Sequence, residues 1–349
     1  MEHPPVKASL AQISLTLAAV AFLLGAMRVA APILNPLLFA LVLSLIFSPL
    51  YSWLGRKLPG WLALVAMLLI IALLFGGLFY IVSISVTSMA TRLTDYVTQL
   101  DNRVAQIETL LGRFGLSPVH LNAVVNGGSL TGFLKAVLGG VGSLLSNASL
   151  ILMTTLFFLA EGPYIMTRLR QNTAADNHFV VKLNTFGQSV VRQFGLRGIV
   201  NAVTGVLVAT FLLLLGVDFP LLWGVLTFFL SYIPYIGIVL AAIPAVVLAL
   251  AEFGLGQSLV VVLGFVAANI LAENVLSPAL LSRGLSISPT AVFVSFAFWT
   301  WLLGGPGAFL AMPLTFFVIL ILDSFPESRW LTGVLMVKDA PEQPEQGAR

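Results

Sequence analysis

The sequence contains no cysteine, which excludes disulfide frameworks, thiolate nucleophiles and zinc or iron–sulfur sites built on thiolates. Charge is nearly as scarce: Asp, Glu, Lys and Arg supply 9% of the 349 residues, against about 25% in a soluble domain. A soluble globular protein is excluded on that ground. The three histidines, His3, His120 and His178, all lie outside the long apolar stretches, so a histidine relay or a histidine-ligated metal inside a membrane is excluded too. The chain has no Gly-x-Ser-x-Gly elbow, no phosphate-cradling Gly-x-x-x-x-Gly-Lys loop and no His-Glu-x-x-His pair, which argues against hydrolysis and against ATP-driven transport by this chain alone. The net charge of +3 is scattered, without a basic run, so nucleic acid is not the partner. The expectation is a non-enzyme that needs no cofactor and no metal.

What the sequence does have is apolar length. Hydrophobic residues make up 59% of it and the mean hydropathy is +1.03. Eight long stretches carry no charge: residues 8–27, 29–55, 58–91, 136–160, 198–217, 219–251, 253–272 and 284–322. About 20 helical residues cover a ~30 Å hydrocarbon core. Each stretch can therefore cross a bilayer, and 219–251 and 284–322 are far too long for one straight helix. The fold class expected is an all-α integral membrane protein with about six to eight membrane segments. The stretch at 8–27 imitates a signal peptide but lacks a small-residue cleavage site, and reads as retained.

Lys and Arg near span ends collect on the cytoplasmic side. An inside N-terminus puts Lys7, Arg56, Lys57, Arg168, Arg170, Lys182, Arg192 and Arg197 in the cytoplasm, with the C-terminal tail. Four of the five basic residues left outside, Arg92, Arg103, Arg113 and Lys135, fall in one long segment that the rule counts weakly. The expected divisions are a three-span bundle at 1–90, an extramembrane helical insert at 91–135, a fourth span at 136–168, a cytoplasmic connector at 169–197, a transport half at 198–325 and a polar tail at 326–349. In the insert, Leu93, Val97, Leu100, Val104, Ile107, Leu111 and Phe114 form a 3.5-residue seam. It fits packing on its own chain or on a second subunit. Turns are expected at Asn126–Ser129 and Gly139–Gly142.

Both overlong stretches are broken in the middle. The first contains Tyr232-Ile233-Pro234-Tyr235-Ile236-Gly237 and then Pro244; the second contains Gly304-Gly305-Pro306-Gly307 and then Pro313. Proline removes a donor and glycine admits unusual dihedrals, so unwound backbone is expected, tolerated in a membrane only against protein or a wet cavity. A 20-residue span precedes each broken stretch. Span plus broken hairpin, occurring twice, is the arrangement of an inverted repeat. The expectation is two re-entrant hairpins, entering from opposite faces with tips that approach near the midplane.

Polar residues within this half are few. Glu273 ends an apolar span and shares a helical face with Asn269 and Ser277, a stripe suited to ion coupling or to a carboxylate snorkelling at a helix end. Arg197 and Asn201 form another pair one turn apart, readable as a site or as an interfacial anchor. Tyr232 and Tyr235 flank Pro234 and could hydrogen-bond a polar ligand, or belong to an aromatic belt. The substrate-binding candidates are Tyr232, Pro234, Tyr235, Gly237, Asn269, Gly305, Pro306 and Gly307.

Residues 198–322 resemble the autoinducer-2 exporter family, the PerM-type permeases. The resemblance rests on Ile233-Pro234-Tyr235-Ile236-Gly237, Glu273-Asn274-Val275-Leu276-Ser277-Pro278, Ser288-Pro289 and Gly304-Gly305-Pro306-Gly307-Ala308-Phe309-Leu310-Ala311-Met312-Pro313-Leu314. It implies a transporter of small polar molecules such as autoinducer-2, with some relatives exchanging sodium for protons, and homo-oligomers. It also adds Asn274 to the polar candidates. The leading reading is a secondary transporter in a bacterial cytoplasmic (inner) membrane, both termini cytoplasmic, exporting a small polar solute past two hairpins with Glu273 as the coupling group for protons or sodium. The alternatives are a sodium/proton antiporter and, from another class, a membrane scaffold that moves nothing.

Overall fold

The computed structural model describes residues 10–113, 127–172, 178–233, 236–280, 288–324 and 328. Among them every regular element is helical, and six helices are long and apolar enough to cross a membrane. Side chains such as Leu73, Leu213, Leu214 and Leu263 point outward, as they do where the surrounding solvent is lipid rather than water.

Helix α1 (Leu10–Gly55) is continuous. The first two uncharged stretches, parted in the sequence by Arg28 alone, are one helix and not two. A single arginine propagates a helix as well as leucine does, and Pro32, Pro36 and Pro49 lie within α1 without ending it. Helix α2 (Gly60–Thr91) returns alongside: Leu54 near the end of α1 packs with Ala63, Met67 and Ile71.

Helix α3 (Leu93–Arg113) is amphipathic. Tyr96, Leu100 and Val104 are its buried face, and α3 packs on the helix Gly237–Phe253 of the same chain. Leu100 and Val104 of the seam are thus covered within the chain. Helix α4 (Gly127–Asn172) runs through Gly139–Gly142 and Pro163, so the expected turn at 139–142 is helix, as are Gly127–Ser129 of the turn expected at 126–129; backbone hydrogen bonding over a long apolar segment outweighs the glycine preference. Asn126 and Phe114 lie outside the described residues.

The C-terminal half repeats one pattern. Helix α5 (His178–Leu215) leads to α6 (Pro220–Leu230) and α7 (Gly237–Phe253). Helix α8 (Leu255–Leu271), a π-helical turn (Ala272–Leu276) and α9 (Ser277–Leu280) lead to α10 (Pro289–Leu303) and α11 (Gly305–Ser324). The first arm of each hairpin starts on a proline, whose missing donor costs nothing at a helix N-terminus, and Ser288 caps α10 by accepting from the Ala291 amide at 3.2 Å. Arms of 11 and 15 residues reach only about 16 and 22 Å, too short to cross the core.

The tips are closed by the same device. A Cβ on Gly237 would stand 1.8 Å from the Leu230 carbonyl oxygen, and one on Gly307 2.0 Å from that of Trp299. Only glycine lets each second arm fold back so tightly on the first. Gly205 of α5 and Gly224 of α6 also meet backbone to backbone, the close approach that small residues permit in membrane bundles.

Candidate functional site at the hairpin tips

The two hairpins enter from opposite ends of the body. Asp218, at the base of the first, is 3.0 Å from Arg92 at the end of α2. The second runs the other way: Phe309 stacks on Phe39, and Leu314 joins Leu45 and Ile46, so α11 descends with α1 toward Gly55. The tips meet between these ends. The Tyr232 ring lies 4.9 Å from Phe309 and stacks on Phe194 at 5.4 Å. From Gly198, beside Tyr232, to the end of α5 is about 26 Å, and from Phe309 to the end of α11 about 22 Å. Tyr232 is therefore packed within an aromatic cluster that joins α1, α5, the first tip and α11. Its hydroxyl lies where a side chain at Gly198 would stand.

Between Phe194 and Gly198 of this cluster, Arg197 reaches across to the π-helical turn. Its Nη2 donates to Glu273 Oε1 at 2.6 Å, its Nη1 to Oε2 at 3.1 Å and to Ser277 Oγ at 3.3 Å. The pair is only partly shielded, with the Arg197 side chain 18% exposed and that of Glu273 43%. Asn201, one turn further along α5, is 2% exposed, and its Nδ2 has no hydrogen-bond partner among the described residues. Arg197, Glu273 and Ser277 are brought together; Asn269 lies before the π-helical turn and outside their hydrogen-bond network, and Asn274 is exposed. Pro234 and Tyr235 lie outside the described residues. Gly305 has open space around it, unlike Gly307.

A cavity of about 680 Å³ opens on the other side of the second tip. Pro306 and Thr300 of the hairpin line it with Arg28 and Asn35 of α1 and Asn147 of α4. Asn35 Nδ2 donates to the Leu303 carbonyl at 3.0 Å, one of the carbonyls that the end of α10 leaves free. The Arg28 guanidinium carbon stands 5.2 Å from the centre of the Trp301 ring. Sequence reasoning missed this wall. The signal was there in Pro32-x-x-Asn35-Pro36, the same pairing of proline with polar or small residues that marks the hairpins.

At the base of the first hairpin, Asp218 gathers a second cluster. Tyr96 Oη donates to its Oδ2 at 2.6 Å, Arg92 pairs with the same oxygen, and the Asp218 amide donates to Glu252 at 3.3 Å. Burial, then the Asp218 carboxylate, push the Tyr96 phenol above its ordinary value. Among the described residues no group of three or more His, Asp or Glu side chains could hold a metal ion.

Twice-repeated broken hairpins that meet tip to tip in an apolar bundle point to transport, and comparison with known proteins gives the family. The model of the AI-2E family transporter matches residues 17–327. The chain belongs to the AI-2E transporter family. It is similar to the AI-2 transport protein TqsA of Escherichia coli, 30% identical over 326 residues, covering 93% of this chain and 95% of that one. It is also 31% identical over 323 residues to a Haemophilus influenzae protein named "Putative transport protein", covering 90% and 93%. This transporter is an integral membrane protein, and bacterial relatives share nearly its whole length.

Proposed function

We propose that this AI-2E transporter exports a small polar solute, autoinducer-2 being the first to test, by exposing a site at the hairpin tips to one side of the bacterial inner membrane at a time. The observation that carries the reading is the meeting of the two tips, Tyr232 against Phe309, beside a largely apolar cavity that holds Arg28, Asn35 and Asn147 on one side and the Arg197–Glu273 pair on the other. Tips supplied by hairpins from opposite faces can be uncovered separately, which is what alternating access requires. The N–H groups of Gly305 and Gly307, which the first turn of α11 leaves without helical partners, together with Asn35 Oδ1 and Asn201 Nδ2, offer hydrogen bonds that replace the solute's water.

Glu273 serves as the coupling group through its partner. A proton or sodium ion that takes the carboxylate displaces Arg197, and the contact of α5 with the π-helical turn loosens. Insertion of the extra residue that makes a π-helical turn is common at functional sites, which supports placing the moving element there.

Continuity of α1 sets the topology of this reading. A continuous helix crosses once, so α1, α2, α4, α5 and α8 are five crossings and the hairpins return to their own side. Keeping Arg56, Lys57, Arg168 and Arg170 cytoplasmic puts the C-terminus inside and the N-terminus outside, in place of two cytoplasmic termini.

The test is uptake of labelled autoinducer-2 by proteoliposomes, with and without an imposed pH or sodium gradient. Uptake above protein-free vesicles, raised by one of the gradients, supports the reading. Gradient-driven exchange of sodium for protons without solute flux supports antiport instead, and no flux of either kind supports a scaffold.

A further inference from the structure

The cavity beyond the second tip has a charge and a polarity of its own. Among the described residues Arg28 is the one charged residue in its lining, and no carboxylate pairs with it. A cation on a membrane-spanning helix is costly unless something neutralises or solvates it. Here its guanidinium is set against Trp301, an arrangement that positions the group without neutralising it. Seven residues further along the same face, Asn35 has the opposite need. Its Nδ2 is committed to the Leu303 carbonyl, which settles the orientation of the amide, and its Oδ1 is buried without a partner. A buried acceptor left unmade is a cost that a ligand donor removes.

We propose that this cavity binds a small hydroxylated anion, with its negative group against Arg28 and a hydroxyl donating to Asn35 Oδ1. Seven helical residues separate the two contacts by about 10 Å along α1, so the ligand is extended, on the scale of a sugar phosphate. The volume lies within the range of about 300–1,000 Å³ usual for small-molecule sites. The same chemistry is found in a free hydroxylated phosphate ester and in a glycerol phosphate headgroup of a lipid. Arg28 and Asn35 both belong to α1, so α1 and not only the hairpins decides which solute is accepted. The proposal rests on reading the tip region as the solute pathway, and binding and flux are therefore measured separately.

The experiment uses the full chain in phosphatidylcholine nanodiscs and follows equilibrium binding of labelled glucose 6-phosphate, with glucose and inorganic phosphate as comparators. Saturable binding of glucose 6-phosphate is expected, at least about tenfold tighter than of either comparator, lost in Arg28→Gln and largely kept in Arg28→Lys. In a second arm, native mass spectrometry of protein from phosphatidylglycerol nanodiscs reads retained lipid; retention that falls in Arg28→Gln identifies a headgroup as the source. Glucose bound as tightly as glucose 6-phosphate, or neither ligand responding to Arg28→Gln, overturns the proposal. Autoinducer-2 flux that persists without any anion binding overturns this assignment alone, whereas anion binding without solute flux overturns the transport reading and leaves the site.

Discussion

Arg197 and Glu273, 76 positions apart in the chain, meet through two hydrogen bonds of 2.6 and 3.1 Å. This two-point geometry fixes α5 against the π-helical turn more firmly than a single contact does. Because both groups are partly exposed, the pair is worth only about 1 kcal/mol to stability. Glu273→Gln should therefore fold normally, with a small loss of thermal stability in detergent, yet lower gradient-driven flux more than about tenfold. Arg197→Lys, which keeps charge and gives up the fork, should retain folding and part of the flux. Full gradient-driven flux in Glu273→Gln would remove the pair from coupling.

The glycines at the tips should divide sharply. Gly237→Ala and Gly307→Ala place a Cβ within 1.8 and 2.0 Å of backbone carbonyls that cannot yield, and should cost upwards of about 1–3 kcal/mol. Gly305→Ala meets nothing within 4 Å and should be neutral or stabilising by about 0.5–1 kcal/mol. Thermal unfolding of the three purified variants checks the order. Gly305 is accordingly the tip position at which larger side chains probe transport without disturbing the fold.

At the base of the first hairpin, the short bond from Tyr96 to Asp218 should outweigh the more exposed Arg92 contact. Tyr96→Phe and Asp218→Asn are each expected to destabilise by about 1.5–3 kcal/mol, as for hydrogen bonds to a charged group, and Arg92→Gln by under about 1 kcal/mol. A double-mutant cycle on thermal stability separates the two. Equal losses at Arg92 and Tyr96 would assign the contact to the ion pair.

The topology can be read directly because the chain has no cysteine. Single thiols introduced at Ser14 and at Lys57, near the two ends of α1 and both exposed, should be labelled from opposite sides of sealed vesicles by a membrane-impermeant maleimide. Labelling of both from the same side would contradict a single crossing by α1.

Much of this architecture was legible in the sequence, and the exceptions have definite physical causes. The broken stretches announced themselves through Pro234, Gly237 and Gly304–Gly307, because only helix breakers interrupt so long an apolar run. Arg197, Glu273 and Ser277 each stood out as rare polar residues, but their meeting was not readable, since nothing local links positions so far apart. Asn269 shares the helical spacing of that stripe, yet the π-helical turn begins after it and local periodicity does not encode such a turn. Arg28 misled in the opposite way: taken as a boundary, it lies inside α1, where its backbone continues the helix and its side chain faces the cavity. Asn35 was passed over because it lies in a span with no charge to mark it.

The most direct measurement locks the tips. With Tyr232→Cys and Phe309→Cys in the otherwise thiol-free chain, a reducible bis-thiol linker joins the two hairpins where their rings now touch. Solute flux in proteoliposomes should fall to the protein-free level on cross-linking and return on reduction, with either single variant unaffected by the linker. Unchanged flux in the fully cross-linked protein would contradict the claim that the tips part during transport.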